Sequence, residues 1–123
     1  MKILVAEDEP LMSAAISGRL RNEGYEVIVA LDGREALKAI ELESPDLIIT
    51  DILMPFTSGL ELIGVVKSNP TLNIPVIVLS GMGQEATVME AFELGADDFL
   101  TKPFNPGELS MRVKRALNKI PKK

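Results

Sequence analysis

The sequence predicts an α/β fold: a doubly wound, five-stranded parallel sheet of the (βα)5 kind, with strand order 2-1-3-4-5. Two observations carry that prediction. Five short apolar runs recur along the 123 residues, with helix-patterned segments between them. The first four runs are near-continuous Val, Ile and Leu rather than alternating, which marks strands covered on both faces. Right-handed crossovers then put helices on both sides of one open sheet, for which 2-1-3-4-5 is the common five-strand order.

The elements follow in turn. Residues 3–6 form the first strand, and Pro10 opens a helix over 10–23, where its missing N–H would be unpaired anyway. Gly24 suits the turn that ends this helix. The second strand spans 27–30, and the second helix, 34–43, stops at Ser44-Pro45 because a residue before proline is pushed out of the helical region. The third strand is 47–50, and the helix over 60–68 ends the same way at Asn69-Pro70. A fourth strand, 76–79, leads into a helix over 84–94 closed by Gly95. The fifth strand is 99–101 and the fifth helix 106–118, with 119–123 a frayed basic tail. There is no repeat or linker, so 1–123 reads as one domain.

Composition narrows the chemistry. The chain is 46% hydrophobic and 25% charged, an ordinary globular balance. Its 13 basic and 18 acidic residues leave a net charge of −5, which argues against direct nucleic-acid binding by this chain. The absence of Cys removes thiolate nucleophiles and cysteine zinc sites, and the absence of His removes Ser-His-Asp catalysis and imidazole ligands. A bound metal should therefore be a hard, oxygen-seeking ion such as Mg²⁺. No apolar run approaches the ~18–20 residues of a membrane span. Glu7-Asp8-Glu9 directly behind the apolar start does not suit a signal peptide, so no membrane contact and a cytoplasmic location are expected.

In open α/β sheets the ligand site lies outside the carboxyl ends of the strands, where the strand order reverses. The residues that follow the strands are Glu7-Asp8 after the first, Asp51 after the third, Ser80-Gly81 after the fourth and Lys102-Pro103 after the fifth. Each alone reads as a loop residue or helix cap. Their convergence on one edge is what carries meaning. Two carboxylates ~5 Å apart repel by roughly 3 kcal/mol at an effective dielectric near 20. A divalent cation removes that conflict, with Asp8 and Asp51 as direct ligands and Glu7 direct or through water. A backbone carbonyl after Asp51 could complete the shell. Carboxylates serve as phosphoryl acceptors. With the metal on one phosphoryl oxygen, Lys102 on a second, and Ser80 with nearby N–H groups on the third, the set suits an acyl phosphate with Asp51 as nucleophile.

These residues resemble the receiver domain of two-component response regulators, of the chemotaxis-regulator type. The marks are Glu7-Asp8, Asp51-Ile52-Leu53-Met54-Pro55 with Gly59, Ser80-Gly81 and Lys102-Pro103-Phe104, in order and after the expected strands. The flavodoxin-like strand order is the family's own. The resemblance implies that Asp51 accepts phosphate from a phosphohistidine on a sensor kinase or phosphotransfer protein. It implies Mg²⁺ on Asp8, Asp51 and the Leu53 carbonyl, with Glu7 acting through water. It implies that Lys102 pairs with the phosphoryl group and that Pro103 is cis. Ser80 and Phe99 become the switch pair, reshaping the surface of the fourth helix, fifth strand and fifth helix for a downstream protein or a phosphorylation-dependent dimer. Glu7, Ser80 and Phe99 stand where the family more often has Asp, Thr and Tyr. Phe56, Leu53 and Met82 are expected to bring apolar groups to the site mouth and slow dephosphorylation.

Two other classes compete. A haloacid-dehalogenase-like phosphohydrolase needs a second Asp two residues after the nucleophile, and Leu53 stands there, so no turnover of external substrates is expected. A flavodoxin-like cofactor binder needs a phosphate loop after the first strand, where Glu7-Asp8-Glu9 repels phosphate. On the first helix, Met12, Ile16 and Leu20 form a core stripe. Leu11, Ala14, Ala15 and Gly18 read either as more buried face or as a docking face for a partner's helices. Val88, Ala91 and Phe92 read as core, and Arg112, Lys114 and Arg115 as a solvated face near the last helix's end.

Overall fold

A computed structural model describes residues 1–54, 57–69 and 71–118. The elements run β1 (Lys2–Ala6), α1 (Pro10–Asn22), β2 (Glu26–Ala30), α2 (Gly33–Glu43), β3 (Leu47–Asp51), α3 (Gly59–Ser68), β4 (Val76–Ser80), α4 (Glu85–Leu94), β5 (Asp98–Thr101) and α5 (Pro106–Asn118). All neighbouring strands are parallel, in the order β2-β1-β3-β4-β5. The predicted architecture and strand order are those observed. Residues 119–123 lie outside the described residues.

The continuous apolar runs are explained by two cores. Successive strand residues point to opposite faces, so Ile3 and Val5 of β1 join one core while Leu4 and Ala6 join the other. Ile16 and Leu20 of α1 and Leu109, Val113 and Leu117 of α5 cover the first face. Ala36 and Ile40 of α2, Leu62, Ile63 and Val66 of α3, and Val88 and Ala91 of α4 cover the second.

Element ends shift by a residue or so, and the shift matters. β3 extends to Asp51 and β4 to Ser80, because the ladder continues: Asp51 stands beside Leu79, and Ser80 beside Thr101. Both polar residues are thus the last rungs of strands, not loop residues. α1 is capped at Glu9 with no side-chain cap bond, so Asp8 is not spent on the helix. α4 ends at Gly95, whose φ of +112° few side chains adopt.

Gly59 makes the closest approach to the site backbone. Its N–H donates to the Ile52 carbonyl at 2.8 Å. A Cβ there would sit 2.2 Å from the Asp51 carbonyl oxygen. Gly59→Ala should therefore destabilise the fold by about 2 kcal/mol or more through overpacking, read as a lowered urea midpoint.

Candidate functional site

Three strands deliver the site to the carboxyl edge of the sheet. Glu7 follows β1, and its backbone N–H donates to the Ala30 carbonyl at 3.1 Å. Asp51 closes β3, and the next residue, Ile52, donates to the Leu79 carbonyl at 3.1 Å. Lys102 follows β5, with its backbone N–H on the Ser80 carbonyl at 2.7 Å, and the Lys102–Pro103 bond is cis. The side chains of Glu7, Asp51 and Lys102 thus stand on backbone tied into the sheet, which limits their wandering.

The Lys102 ammonium bridges two carboxylates, at 2.5 Å from Glu7 Oε1 and 2.9 Å from Asp51 Oδ2. Glu7 is fully buried (0% exposed), Asp51 is 9% exposed, and Asp8 is exposed. Carboxylate oxygens of Glu7, Asp8 and Asp51 lie within 4.8 Å of one another. Burial drives the Glu7 pKa up to about 7, against the hydrogen bonds from Lys102 and the Glu9 N–H, while the Asp51 charge adds to the rise. Burial works to lower the Lys102 pKa, but its bonds to Glu7 and Asp51 outweigh that and hold the ammonium above its ordinary value.

Three carboxyl groups gathered against one ammonium leave an excess of acidic groups on this edge. That excess, offered through oxygen donors alone and open to solvent on the Asp8 side, fits a hard dication such as Mg²⁺. The structure therefore brings together Glu7, Asp8, Asp51 and Lys102. The Glu7–Lys102 bridge was not foreseen. Its residues are 95 positions apart, and the only sequence signal was that both directly follow strands.

The remaining expected residues lie around this centre. Ser80 is 2% exposed at the end of β4. Phe99 of β5 faces outward, its ring edge-on to Phe92 with centroids 5.7 Å apart at 89°. Leu53 and Met82 are both strongly exposed, and Met82 lines a groove between α4 and β5. Phe56 and Pro55 lie outside the described residues.

Three sequence expectations need correction. Phe92 is not core: it is 39% exposed, because only Val88 and Ala91 of α4 reach the sheet. Leu11, Ala14, Ala15 and Gly18 are exposed, so the broad-buried-face alternative for α1 fails. Arg112 is not simply solvated; it pairs with Asp98 at 2.8 Å and approaches Glu108 at 3.9 Å. A polar contact that spacing did not suggest holds the start of α4: the Gly81 N–H donates to the Gln84 side-chain oxygen at 2.5 Å.

A doubly wound sheet carrying clustered carboxylates and a strand-end lysine on its carboxyl edge defines a class of signalling domain switched by phosphorylation. The chain belongs to the response regulator receiver domain family, whose model matches residues 3–114. It is 41% identical over 118 residues to the alkaline phosphatase synthesis transcriptional regulatory protein PhoP of Bacillus subtilis (strain 168), covering 96% of this chain and 49% of that protein. Among solved structures, it matches the receiver domain of a signal transduction histidine kinase from Syntrophus aciditrophicus with a TM-score of 0.91 and 38% identity, covering 99% of this chain and 93% of that one. It matches the receiver domain of NtrX from Brucella abortus with a TM-score of 0.88 and 36% identity, covering 96% and 99%. The chain spans about half the length of the curated relatives it matches. Those relatives are transcriptional regulators, so the resemblance is to the family at large and not specifically to its chemotaxis members.

Proposed function

We propose that Asp51 is the phosphoacceptor of this receiver domain, taking its phosphoryl group from a phosphohistidine on a sensor kinase or phosphotransfer protein. The observation that carries the reading is the Lys102 ammonium held between Glu7 and Asp51, beside Asp8. One Asp51 carboxylate oxygen attacks the phosphorus, the P–N bond breaks, and the departing imidazole nitrogen takes a proton. Lys102 turns from its carboxylates to the transferred phosphoryl group, and the Ser80 hydroxyl donates to a second oxygen. Attack by water on the acyl phosphate restores the Asp51 carboxylate and releases phosphate, with no external substrate turned over. Asp8, Asp51 and the Leu53 carbonyl would hold Mg²⁺, with Glu7 acting through water. When bound, the ion neutralises the excess negative charge as the phosphoryl group arrives. Acetyl phosphate labelling in Mg²⁺, with mass-spectrometric localisation, tests the assignment. A label at Asp51 supports it, and a label elsewhere overturns it.

The exposed α1 stripe is the docking face for the phosphodonor's helices. Gly18 has no side chain and nothing near it, so a partner helix meets open backbone there. Ala15→Arg should slow phosphotransfer from a partner by about tenfold or more while leaving acetyl phosphate labelling intact. Equal loss of both would mean the fold, not the docking, had failed.

Exposed apolar Leu53 and Met82 hinder the hydrolytic water. Leu53→Asn and Met82→Glu should each shorten the lifetime of phospho-Asp51 several-fold, followed by loss of label with time. Unchanged decay in both would overturn that role. The output is a change in the α4–β5–α5 surface through Ser80 and Phe99. That the relatives are transcriptional regulatory proteins supports a cytoplasmic regulator of gene expression as the setting. Among the described residues no helix is long and apolar enough to cross a membrane.

A further inference from the structure

We infer that the Gln84 side chain is a built-in competitor of the phosphoryl group, holding the backbone donor of Gly81 until an arriving oxygen displaces it; this rests on the phosphoacceptor reading above and names a control on that site.

The ladder between β3 and β4 shows where the donor points. Along a strand of a parallel sheet, successive residues bond alternately to the two neighbouring strands. The Leu79 carbonyl turns to β3, where it accepts from the Ile52 N–H at 3.1 Å. The Ser80 carbonyl turns to β5, where it accepts from the Lys102 N–H at 2.7 Å. The Gly81 N–H therefore turns back toward β3, and its regular partner is the Ile52 carbonyl. Both groups bond elsewhere instead. The Ile52 carbonyl takes the Gly59 N–H at 2.8 Å, and the Gly81 N–H donates to Gln84 Oε1 at 2.5 Å. The two strands thus part just past Asp51 and Ser80, their last paired residues. A backbone donor facing the β3 side of that gap points toward the strand end that carries the phosphoacceptor.

Gln84 is available because its own helix does not use it. Asp32 and Ser58, in the equivalent place before α2 and α3, accept the N–H of Glu35 and Glu61. Gln84 stands in that place before α4, and its side chain makes no cap bond. It reaches back three residues to Gly81 instead. The exchange has a direction. The carboxamide oxygen is a neutral acceptor, whereas a phosphoryl oxygen is charged, and hydrogen bonds to charged acceptors are roughly twice as strong. The Gly81 N–H is thus satisfied before phosphorylation and better satisfied after it. While Gln84 holds it, the site's affinity for a phosphoryl group falls in proportion to the fraction of molecules in which the donor is free.

The test is beryllofluoride binding in Mg²⁺, followed by amide NMR on the chain, with acetyl phosphate labelling of Asp51 alongside. Gln84→Met keeps the length of the side chain and removes the acceptor. Gln84→Glu keeps an acceptor and makes it charged. Gln84→Met should bind beryllofluoride several-fold tighter than the native chain, and Gln84→Glu about tenfold weaker. Without beryllofluoride, the Gly81 amide proton should move upfield in Gln84→Met, the direction of a lost hydrogen bond. With it, the native chain and Gln84→Met should share one Gly81 shift, since both then donate to the same acceptor. A side chain that only steadies the turn predicts the opposite sign, with weaker binding in Gln84→Met. Weaker or unchanged binding in that variant, or a native Gly81 amide that beryllofluoride leaves in place, would overturn the inference while Asp51 still takes label. Failure to label Asp51 in the native chain would instead remove the phosphoacceptor reading and this inference with it.

Discussion

Lys102→Met is expected to destabilise the metal-free protein by about 3 kcal/mol near pH 8, because it strands the buried Glu7 carboxylate beside Asp51 with no counter-charge. The effect should depend on pH. Glu7 is raised from 4.5 to about 7 in the folded protein, so its contribution is fully present below about pH 4.5 and is lost as pH rises through about 7. In the native chain that loss amounts to roughly 3 kcal/mol at most. Without the lysine, whose hydrogen bond lowers the Glu7 pKa, the carboxyl stays protonated to higher pH and the loss extends further. Near pH 5.5 Glu7 is protonated with or without the lysine, and the penalty should shrink to about 1 kcal/mol, left by the Asp51 pair. Urea unfolding without Mg²⁺ at the two pH values measures this. An equal penalty at both would mean that Glu7 is ionised throughout.

Asp51→Asn should abolish acyl-phosphate labelling outright, since an amide cannot accept the phosphoryl group, and should weaken Mg²⁺ binding by about tenfold or more. It should also stabilise the metal-free protein by on the order of 1 kcal/mol. The charge it removes repels two carboxylates, Glu7 and Asp8, and attracts one ammonium. The Glu7 pKa should fall, because the Asp51 charge contributes to its rise. Isothermal titration with Mg²⁺ and a carboxyl NMR titration of Glu7 read both effects. Loss of stability in the metal-free state would show that the Lys102–Asp51 pair outweighs the repulsion.

Much of the fold was legible because its signals are local. Continuous Val, Ile and Leu at 3–6, 47–50 and 76–79 demand cover on both faces, and both cores are there. Pro10, Ser44-Pro45 and Gly95 punctuate the helices through backbone geometry that each residue carries with it. The candidate site was legible one step removed: once the strand order is known, every polar strand end falls on one edge. Phe92 was misread because its helical spacing from Val88 is that of a core residue, yet its ring stands over Phe99 at the border of the sheet.

Residue order alone thus specified five strands, five helices, the two-sided burial of the sheet and the set of polar groups gathered at the sheet's carboxyl edge. The fold in three dimensions chose among contacts that the pattern leaves equivalent: Lys102 on Glu7 as well as Asp51, Phe99 outward on Phe92, one stripe of α1 buried and the next bare. The reason is range. Periodicity records burial over a few residues, whereas Lys102 meets partners 95 and 51 positions away, and such meetings depend on strand register and on which neighbours crowd each element's border.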